Sequence, residues 1–273
     1  MEIESPDSDT AHRPARPRLC KNPPMLIARS VRPRQLSNSY LVADRPGGHA
    51  VVVDTGADPA PLVAAIREHD LTVDWAFLTH HHYDHTEHNA FWAEEHEAIL
   101  CGHRNEAMLF GPLDRLLDHE DVVETGELTI QALFIPGHTL GQLAFLIRHG
   151  DEARLFTGDT LFRRSIGGTR GPGHTTHHDI KRSIMDRLMG LDRELVVLPG
   201  HGDATTLAEE YEHNPFVRFW RGLDEPLDVA CEAFGEPATL LVEATDYDGG
   251  TKCILRWTAS EELDVVPGSR VQR

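Results

Sequence analysis

A dense run of metal-competent side chains, His80-His81-His82-Tyr83-Asp84-His85, restricts what this chain can fold into more than any other feature. The run directly follows an apolar stretch, Trp75–Leu78, that is typical of a buried strand. Histidines at this density are costly to pack unless they bind something, because a buried imidazole loses its hydrogen bonds to water. Imidazole and carboxylate together suit Zn, Fe or Mn. The fold must therefore bring this loop to a binding site.

Three further segments repeat the order of apolar strand, glycine-containing turn and metal-competent side chain. They are Leu133–His138, Leu155–Asp159 and Leu195–His201. Because ligand sites in α/β proteins gather at strand ends, we expect the four loops to converge on one site. The candidate ligands are His80, His82, Asp84, His85, His138, Asp159 and His201. This set exceeds the three or four ligands of one catalytic zinc and suits two metals that share a bridge.

The rest of the chain alternates short apolar runs with amphipathic segments, which indicates the α/β class. Helices are predicted over 59–69, with Asp58 as the N-cap, and over 179–190, with Thr176 or Asp179 as the cap. Besides the strands already named, buried strands are predicted at Val51–Val53 and Leu143–Ile147.

Three regions follow from composition and pattern. Residues 1–24 are interrupted by prolines and predict a flexible N-terminal arm. Residues 25–222 form the predicted catalytic domain, and residues 223–273 a C-terminal extension. In the extension, two apolar runs around Asp246–Gly250 predict a β-hairpin. The sequence leaves open whether the extension is a subdomain, a lid or a dimer contact.

The pattern His80-x-His82-x-Asp84-His85, followed by His138, Asp159 and His201, resembles the metallo-β-lactamase superfamily over roughly residues 30–220. The resemblance implies a four-layer αββα sandwich with the metals at one edge between two sheets. Several flanking motifs resemble the glyoxalase II-like, or hydroxyacylglutathione hydrolase-like, branch. They are Pro136-Gly137-His138-Thr139, Gly158-Asp159-Thr160-Leu161-Phe162, Pro199-Gly200-His201-Gly202 and Asn214-Pro215-Phe216.

The resemblance also implies roles for the seven candidates. His80, His82 and His138 would hold one divalent metal, Asp84, His85 and His201 a second, and Asp159 would bridge them. Zinc is the first expectation, with iron and manganese as alternatives. A metal-bridging hydroxide, oriented by Asp84 as the catalytic carboxylate, would cleave a thioester or a related activated ester. The alternatives are a mononuclear-iron persulfide dioxygenase, which would use only the equivalents of His80, His138 and Asp159, and a lactonase.

One position departs from the glyoxalase II-like pattern. Members of that branch usually carry a Lys or Arg about nine residues after the bridging Asp, where it helps hold glutathione, and this chain has Gly168 there. Because only 72 residues follow His201, we also expect no long helical glutathione-binding domain after it. The candidates for substrate contact are therefore Tyr83, Arg163, Arg170 and His174. Asp54, at a strand end, is either a partner of a ligand imidazole or a turn carboxylate.

Charge and composition limit the classes of binding partner and the cellular setting that we expect. The formal charge of −18 disfavours a nucleic-acid surface and an anionic membrane surface. No apolar run is long enough for a spanning helix, and no secretory signal is evident. The four cysteines, Cys20, Cys101, Cys231 and Cys253, form no C-x-x-C pair and fit a reducing, cytoplasmic setting. We expect a small-molecule substrate, and homo-oligomerisation remains open.

Overall fold

Two six-stranded sheets form the centre of the molecule. The structure is a computed structural model that describes residues 24–273, so the predicted flexible arm over residues 1–24 lies outside it except for Pro24. The strands in chain order are β1 (Leu26–Val31), β2 (Asn38–Ala43), β3 (His49–Val53), β4 (Thr72–Phe77), β5 (Ile99–His103), β6 (Arg115–Leu117), β7 (Val122–Thr125), β8 (Leu128–Phe134), β9 (Leu143–His149), β10 (Glu152–Gly158), β11 (Leu161–Phe162), β12 (Ser165–Ile166), β13 (Val196–Pro199), β14 (Thr205–Thr206), β15 (Val229–Ala233), β16 (Glu236–Thr245), β17 (Thr251–Trp257), β18 (Leu263–Pro267) and β19 (Val271–Gln272). The α-helices are α1 (Ala60–His69), α2 (Tyr83–Thr86), α3 (Asn89–Glu95), α4 (His177–Arg182), α5 (Leu207–His213) and α6 (Pro215–Trp220).

Parallel pairing within each sheet decides where the strand ends lie. The first sheet runs β1 to β6 in order and is parallel from β3 onward. The second runs β14-β13-β10-β9-β8-β7, and its β10 and β13 are parallel. Strand β8 runs in the same direction as β10 because both are antiparallel to β9. The carboxyl ends of β8, β10 and β13 therefore share one edge.

The two sheets pack face to face. Their shared core includes Val53 and Phe77 from the first sheet and Phe145 and Phe156 from the second, all of them at most 1% exposed. On the far side of the first sheet, Leu62 of α1 and Trp92 of α3 cover Val52 and its neighbours. On the far side of the second, Ile180 of α4 and Phe216 of α6 cover Leu155 and Val197. The layers thus follow the predicted order α, β, β, α.

The C-terminal extension forms a five-stranded antiparallel sheet in the order β18-β17-β16-β15-β19. Strands β16 and β17 pair as an antiparallel hairpin around residues 246–250. Leu241, Ile254 and Val265 from this sheet join the same buried cluster as Ile180 and Phe216. The extension consequently shares a hydrophobic core with residues 25–222. None of the helices in residues 24–273 has the length and apolar character needed to cross a membrane.

Two helix predictions need correction in detail. Helix α1 begins at Ala60, and Asp58 Oδ1 accepts the Ala60 N–H although Pro59 is the N-cap residue. The predicted helix over 179–190 begins earlier, at His177, where the Thr176 hydroxyl caps it. Its second half, Ser183–Leu188, is a π-helix closed by a Met189 N–H to Ile184 C=O bond of 2.8 Å. Apolar residues spaced four apart lie near one face in both an α-helix and a π-helix. The sequence pattern therefore does not distinguish the two helix types.

Candidate metal centre

The predicted ligands lie on loops at one edge of the sandwich. His80 and His82 follow β4, and the short helix α2 presents Asp84 and His85. The other three ligands follow β8, β10 and β13, whose ends share this edge. A Cβ at Gly200 would overlap Asp159 Oδ1, so glycine before His201 lets the two loops approach closely. The topology brings all seven candidate side chains together.

The seven side chains form overlapping groups of ligand atoms. One group contains His80, His82 and His138, another Asp84, His85 and His201, and within each group the atoms lie within 4.8 Å of one another. A third group of the same size, His80, His85 and Asp159, links the first two. The arrangement is that of two adjacent sites with shared neighbours.

Asp159 lies between the two sites. Its Oδ2 is 3.6 Å from His138 Nε2 and 3.1 Å from His201 Nε2, while its Oδ1 is 3.3 Å from His85 Nε2. Asp84 Oδ2 is 3.5 Å from His201 Nε2 and 3.6 Å from His85 Nε2. One carboxylate thus faces histidines of both groups, and the other faces the second group alone.

Each of the five histidines is held by one ring nitrogen, which leaves the other turned inward. The holding contacts are His80 Nδ1 to Thr79 Oγ1 at 3.0 Å, His82 Nε2 to Pro172 O at 2.9 Å, His85 Nδ1 to Asp54 Oδ2 at 2.9 Å, His138 Nδ1 to Gly168 O at 2.9 Å and His201 Nδ1 to Gln35 O at 2.9 Å. A carbonyl or carboxylate partner requires the proton on that nitrogen, so in a neutral ring the inward nitrogen carries the lone pair that a metal ion would bind.

These inward atoms fit metal ions better than they fit one another. His82 Nδ1 lies 3.0 Å from His138 Nε2, and His85 Nε2 lies 3.3 Å from His201 Nε2, although neutral rings held in this way leave neither pair a proton to share. His80 Nε2 and Asp159 Oδ1 are buried and have no hydrogen-bond partner within residues 24–273. Buried polar atoms without partners are costly. Five imidazoles and two carboxylates are a donor set suited to Zn, Fe or Mn.

The electrostatics of the centre favour added positive charge. Burial lowers the pKa of His80 well below its usual value and lowers that of His138 to about 4, so both rings stay neutral. Burial also acts to lower the pKa of His85, but the carboxylates of Asp159 and Asp54 outweigh it and raise that pKa to about 10. Asp159 remains ionised because His201 and His85 overcome the effect of its burial on the pKa. Divalent cations would supply this charge.

A family comparison connects this centre to known proteins. The model of the metallo-β-lactamase superfamily matches residues 32–201, which contain all seven candidates. The chain belongs to the metallo-β-lactamase superfamily. The predicted membership and the αββα sandwich are both confirmed.

The chain is similar to a named hydrolase and to two solved structures. The chain is 30% identical, over 62% of its length and 87% of the relative, to the hydroxyacylglutathione hydrolase GloC of Haemophilus influenzae. Its structure matches ETHE1 from Myxococcus xanthus with a TM-score of 0.63, 29% identity and coverage of 74% of this chain and 93% of that one. It matches TTHA1623 in a di-iron-bound form with a TM-score of 0.56, 31% identity and coverage of 68% and 98%.

The structure places the four predicted substrate residues in three different parts of the molecule. Arg163 lies beside His201 in a cleft of about 330 Å³. Tyr83 is 63% exposed; its hydroxyl donates to Glu87, and its ring lies under the Arg32 guanidinium. These contacts hold the Tyr83 side chain at the surface, at the start of α2.

Arg170 and His174 line a different cavity, of about 530 Å³, between the loop before α4 and β18. Arg170 Nε donates to Asp264 at 2.9 Å, and its guanidinium stacks on Trp257, 4.5 Å from the ring centroid. His174 Nδ1 contacts Gly171 O at 2.6 Å. Both side chains thus make contacts within this loop and the C-terminal sheet.

Two residues that the sequence did not reveal also contact the centre or the loops that carry it. Glu106 is buried and ties two ligand loops together by accepting the His81 N–H at 3.0 Å and the Gly141 N–H at 2.6 Å. Tyr247, in the β16–β17 loop, stacks on His201 with ring centroids 4.3 Å apart. Burial and then the Asp159 carboxylate raise the pKa of Tyr247, so its hydroxyl stays protonated. No local motif marks either residue.

Proposed function

We propose that this chain is a binuclear metal-dependent hydrolase that cleaves a thioester or a related activated ester of a small molecule. The observation that carries the proposal is the position of Asp159 between the two groups of inward-facing ligand atoms. His80, His82 and His138 would hold one metal, and Asp84, His85 and His201 the other. The homologous hydroxyacylglutathione hydrolase and the di-iron form of TTHA1623 support this reading.

The residues of the chain orient the reaction. When bound, two divalent metals would supply a water that is activated near neutral pH and would polarise the carbonyl oxygen. The Asp84 side chain is 21% exposed, compared with 8% for Asp159, so its carboxylate can accept a hydrogen bond from a water at the metal centre. A thiolate leaves without strong protonation, so the site needs no separate general acid. This favours a thioester over an unactivated amide.

Other features of the chain agree with a cytoplasmic enzyme for small substrates. Within residues 24–273, Cys101, Cys231 and Cys253 are free thiols, which supports a reducing compartment. The charge of −18 disfavours a nucleic-acid substrate, because phosphate binding requires clustered Lys and Arg.

A persulfide dioxygenase is the second candidate, and the similarity to ETHE1 favours it. This reading requires only one metal, held by His80, His138 and Asp159. A lactonase is a variant of the hydrolase proposal and uses the same two metals.

Metal content and turnover test the proposal together. The purified protein is analysed for Zn, Fe and Mn per chain and then assayed with S-lactoylglutathione, a lactone panel and glutathione persulfide with oxygen uptake. We expect two metals per chain, thioester hydrolysis and no oxygen uptake. His82→Ala should lower kcat/KM by at least 100-fold and reduce the metal content, since it removes a ligand of the first group.

His178→Ala is the matched control, because it removes an exposed histidine outside the centre. One iron per chain with persulfide-dependent oxygen uptake would establish the dioxygenase instead. Full hydrolytic activity in His82→Ala would contradict the assignment of His82 to the first metal of the hydrolase.

A further inference from the structure

The C-terminal extension covers the position where this chain lacks the usual cation. Gly168 has no side chain, and a Cβ built there would lie 3.5 Å from Val265 O of β18. Strand β18 is fixed to this loop by two hydrogen bonds, Thr169 N–H to Val265 O at 2.9 Å and Val265 N–H to Thr169 Oγ1 at 2.8 Å. A substrate therefore has to be recognised by groups other than a side chain at position 168.

The cleft beside His201 offers such groups. It has a volume of about 330 Å³, and its lining includes Arg29, Arg163, His201, Asp203 and Tyr247. Two guanidinium groups thus face one carboxylate. Arg29 already interacts with Asp203, at 3.5 Å, and donates to Gly202 O at 3.1 Å. Arg163 makes no such ion pair within residues 24–273, although its charge, after the hydrogen bond and charge of Arg164, contributes to the lowered pKa of Glu209.

Two polar groups in this cleft have no hydrogen-bond partner within residues 24–273. The Arg163 guanidinium makes no hydrogen bond or ion pair with any group in residues 24–273, whereas the adjacent Arg164 donates to Glu209 and to His213 O. The Tyr247 hydroxyl likewise has no partner in that part of the chain, although the ring is fixed between His201 and Phe162. A free guanidinium and a free hydroxyl beside a ligand histidine are suited to a carboxylate.

The loop that carries Tyr247 is held by a buried ion pair. Lys252 Nζ lies 3.0 Å from Asp246 Oδ2, and both side chains are less than 10% exposed. Asp246 Oδ1 also accepts the Ser165 hydroxyl at 2.7 Å, which links the loop to β12. The Tyr247 ring is therefore positioned before any ligand binds, so little ordering is lost on binding.

We infer that Arg163 and Tyr247 form a carboxylate-binding subsite, so that the enzyme selects substrates that carry a carboxylate away from the scissile bond. The C-terminal extension supplies half of this subsite. The inference rests on the proposed function in treating the neighbouring metal centre as the place of cleavage. It goes beyond that function by naming the charge of the substrate and the two residues that bind the charged group.

Binding of uncleavable thioethers tests the subsite without turnover. Isothermal titration of the metal-loaded protein compares S-methylglutathione, which bears two carboxylates, with neutral S-methyl-N-acetylcysteamine. We expect S-methylglutathione to bind at least tenfold more tightly. Arg163→Gln should remove about tenfold of that preference, Arg163→Lys should restore part of it, and Tyr247→Phe should remove about threefold.

Two matched variants control for charge and for ring chemistry elsewhere. Arg182→Gln removes an exposed arginine on α4, and Tyr211→Phe removes a hydroxyl from a tyrosine that lies outside the cleft. Both should keep the preference of the unmodified protein. Equal affinity for the two thioethers, or an Arg163→Gln effect no larger than that of Arg182→Gln, would overturn the inference.

A kinetic comparison identifies which part of the substrate carries the carboxylate. S-acetylglutathione has it on the thiol side, and S-succinyl-N-acetylcysteamine on the acyl side. Arg163→Gln should raise KM more than it lowers kcat for the substrate whose carboxylate reaches the subsite. Failure to hydrolyse any thioester, with the binding preference intact, would contradict the proposed function and leave the subsite standing. Thioester hydrolysis without the binding preference would contradict the subsite and leave the proposed function standing.

Discussion

A single carboxylate beside the metal centre orders two ligand residues at once. Asp54 accepts the Thr79 N–H and the Thr79 hydroxyl, each at 2.8 Å, and the His85 Nδ1–H at 2.9 Å. Because the Thr79 hydroxyl gives its proton to Asp54, its oxygen is free to accept from His80 Nδ1. Asp54 therefore sets the inward nitrogen of His85 directly and that of His80 through one intermediate.

Replacing this carboxylate should weaken metal binding more than folding. In Asp54→Asn one of the two acceptor oxygens is replaced by an amide group, so His85 or Thr79 loses its acceptor. We expect metal affinity to fall about 10- to 100-fold, the usual effect of removing a partner of a ligand histidine. Competition with a chelating dye measures the affinity. Asp74→Asn is the control, because Asp74 lies on β4 and contacts His49 and Thr125 outside the centre. An unchanged affinity would show that Asp54 is only a turn carboxylate.

Residues that act within one loop could be predicted from sequence, whereas residues that act across loops could not. His80, His82, Asp84 and His85 share one short motif, and His138, Asp159 and His201 each follow a strand that ends in a glycine turn. Glu106 and Tyr247 reach the centre only because the topology brings distant segments together. A buried glutamate has the same local sequence pattern as an exposed one, so burial has to be seen in the structure.

At the scale of elements, a buried hydrogen bond joins α4 to α6 in addition to their apolar packing. His177 Nε2 accepts the Trp220 Nε1–H at 3.1 Å, so the ring must stay neutral to keep this bond. Burial, and then the nearby Lys181, lower the pKa of His177 to about 4; Asp264 opposes the shift and His178 adds to it. The sequence predicted the helix from its apolar spacing but gave no sign of this contact between helices.

This contact should make folding stability depend on pH. The pKa of His177 is lower in the folded protein than the 6.5 of the unfolded chain. Its contribution is thus complete above pH 6.5 and is lost as pH falls towards 4. The full difference corresponds to about 3 kcal/mol. Urea unfolding of metal-free protein between pH 4.5 and 7.5 should show a shallower pH dependence for His177→Gln than for the unmodified chain.

The exposed neighbour provides the control for this titration. His178→Gln removes a histidine from the same turn of α4, and its pH profile should follow that of the unmodified chain. Metal-free protein is required, because the ligand histidines would otherwise couple metal binding to pH. Parallel profiles for all three proteins would show that His177 does not titrate below its unfolded value.

At the scale of the whole molecule, the C-terminal extension contributes to the same core as residues 25–222. Leu241, Ile254 and Val265 pack in one cluster with Ile180 and Phe216. The extension also places Tyr247 against His201. The sequence predicted its hairpin from two apolar runs around a glycine-rich loop. It could not show which face of the sheet would be covered, because strand alternation defines two faces without naming their partners.

A shared core predicts a single unfolding transition. Ile254 is fully buried, so Ile254→Ala should cost about 2–5 kcal/mol and lower the midpoint of one transition that covers the whole of residues 25–273. Differential scanning calorimetry and the fluorescence of Trp92, which lies in the opposite outer layer, should report the same shifted midpoint. Val229→Ala, at a 41% exposed position of β15, should change it little. Two separate transitions, with the Trp92 signal unaffected by Ile254→Ala, would instead show that the extension is an independent domain. The stacking of Tyr247 on His201 would then be a contact between two domains that fold on their own.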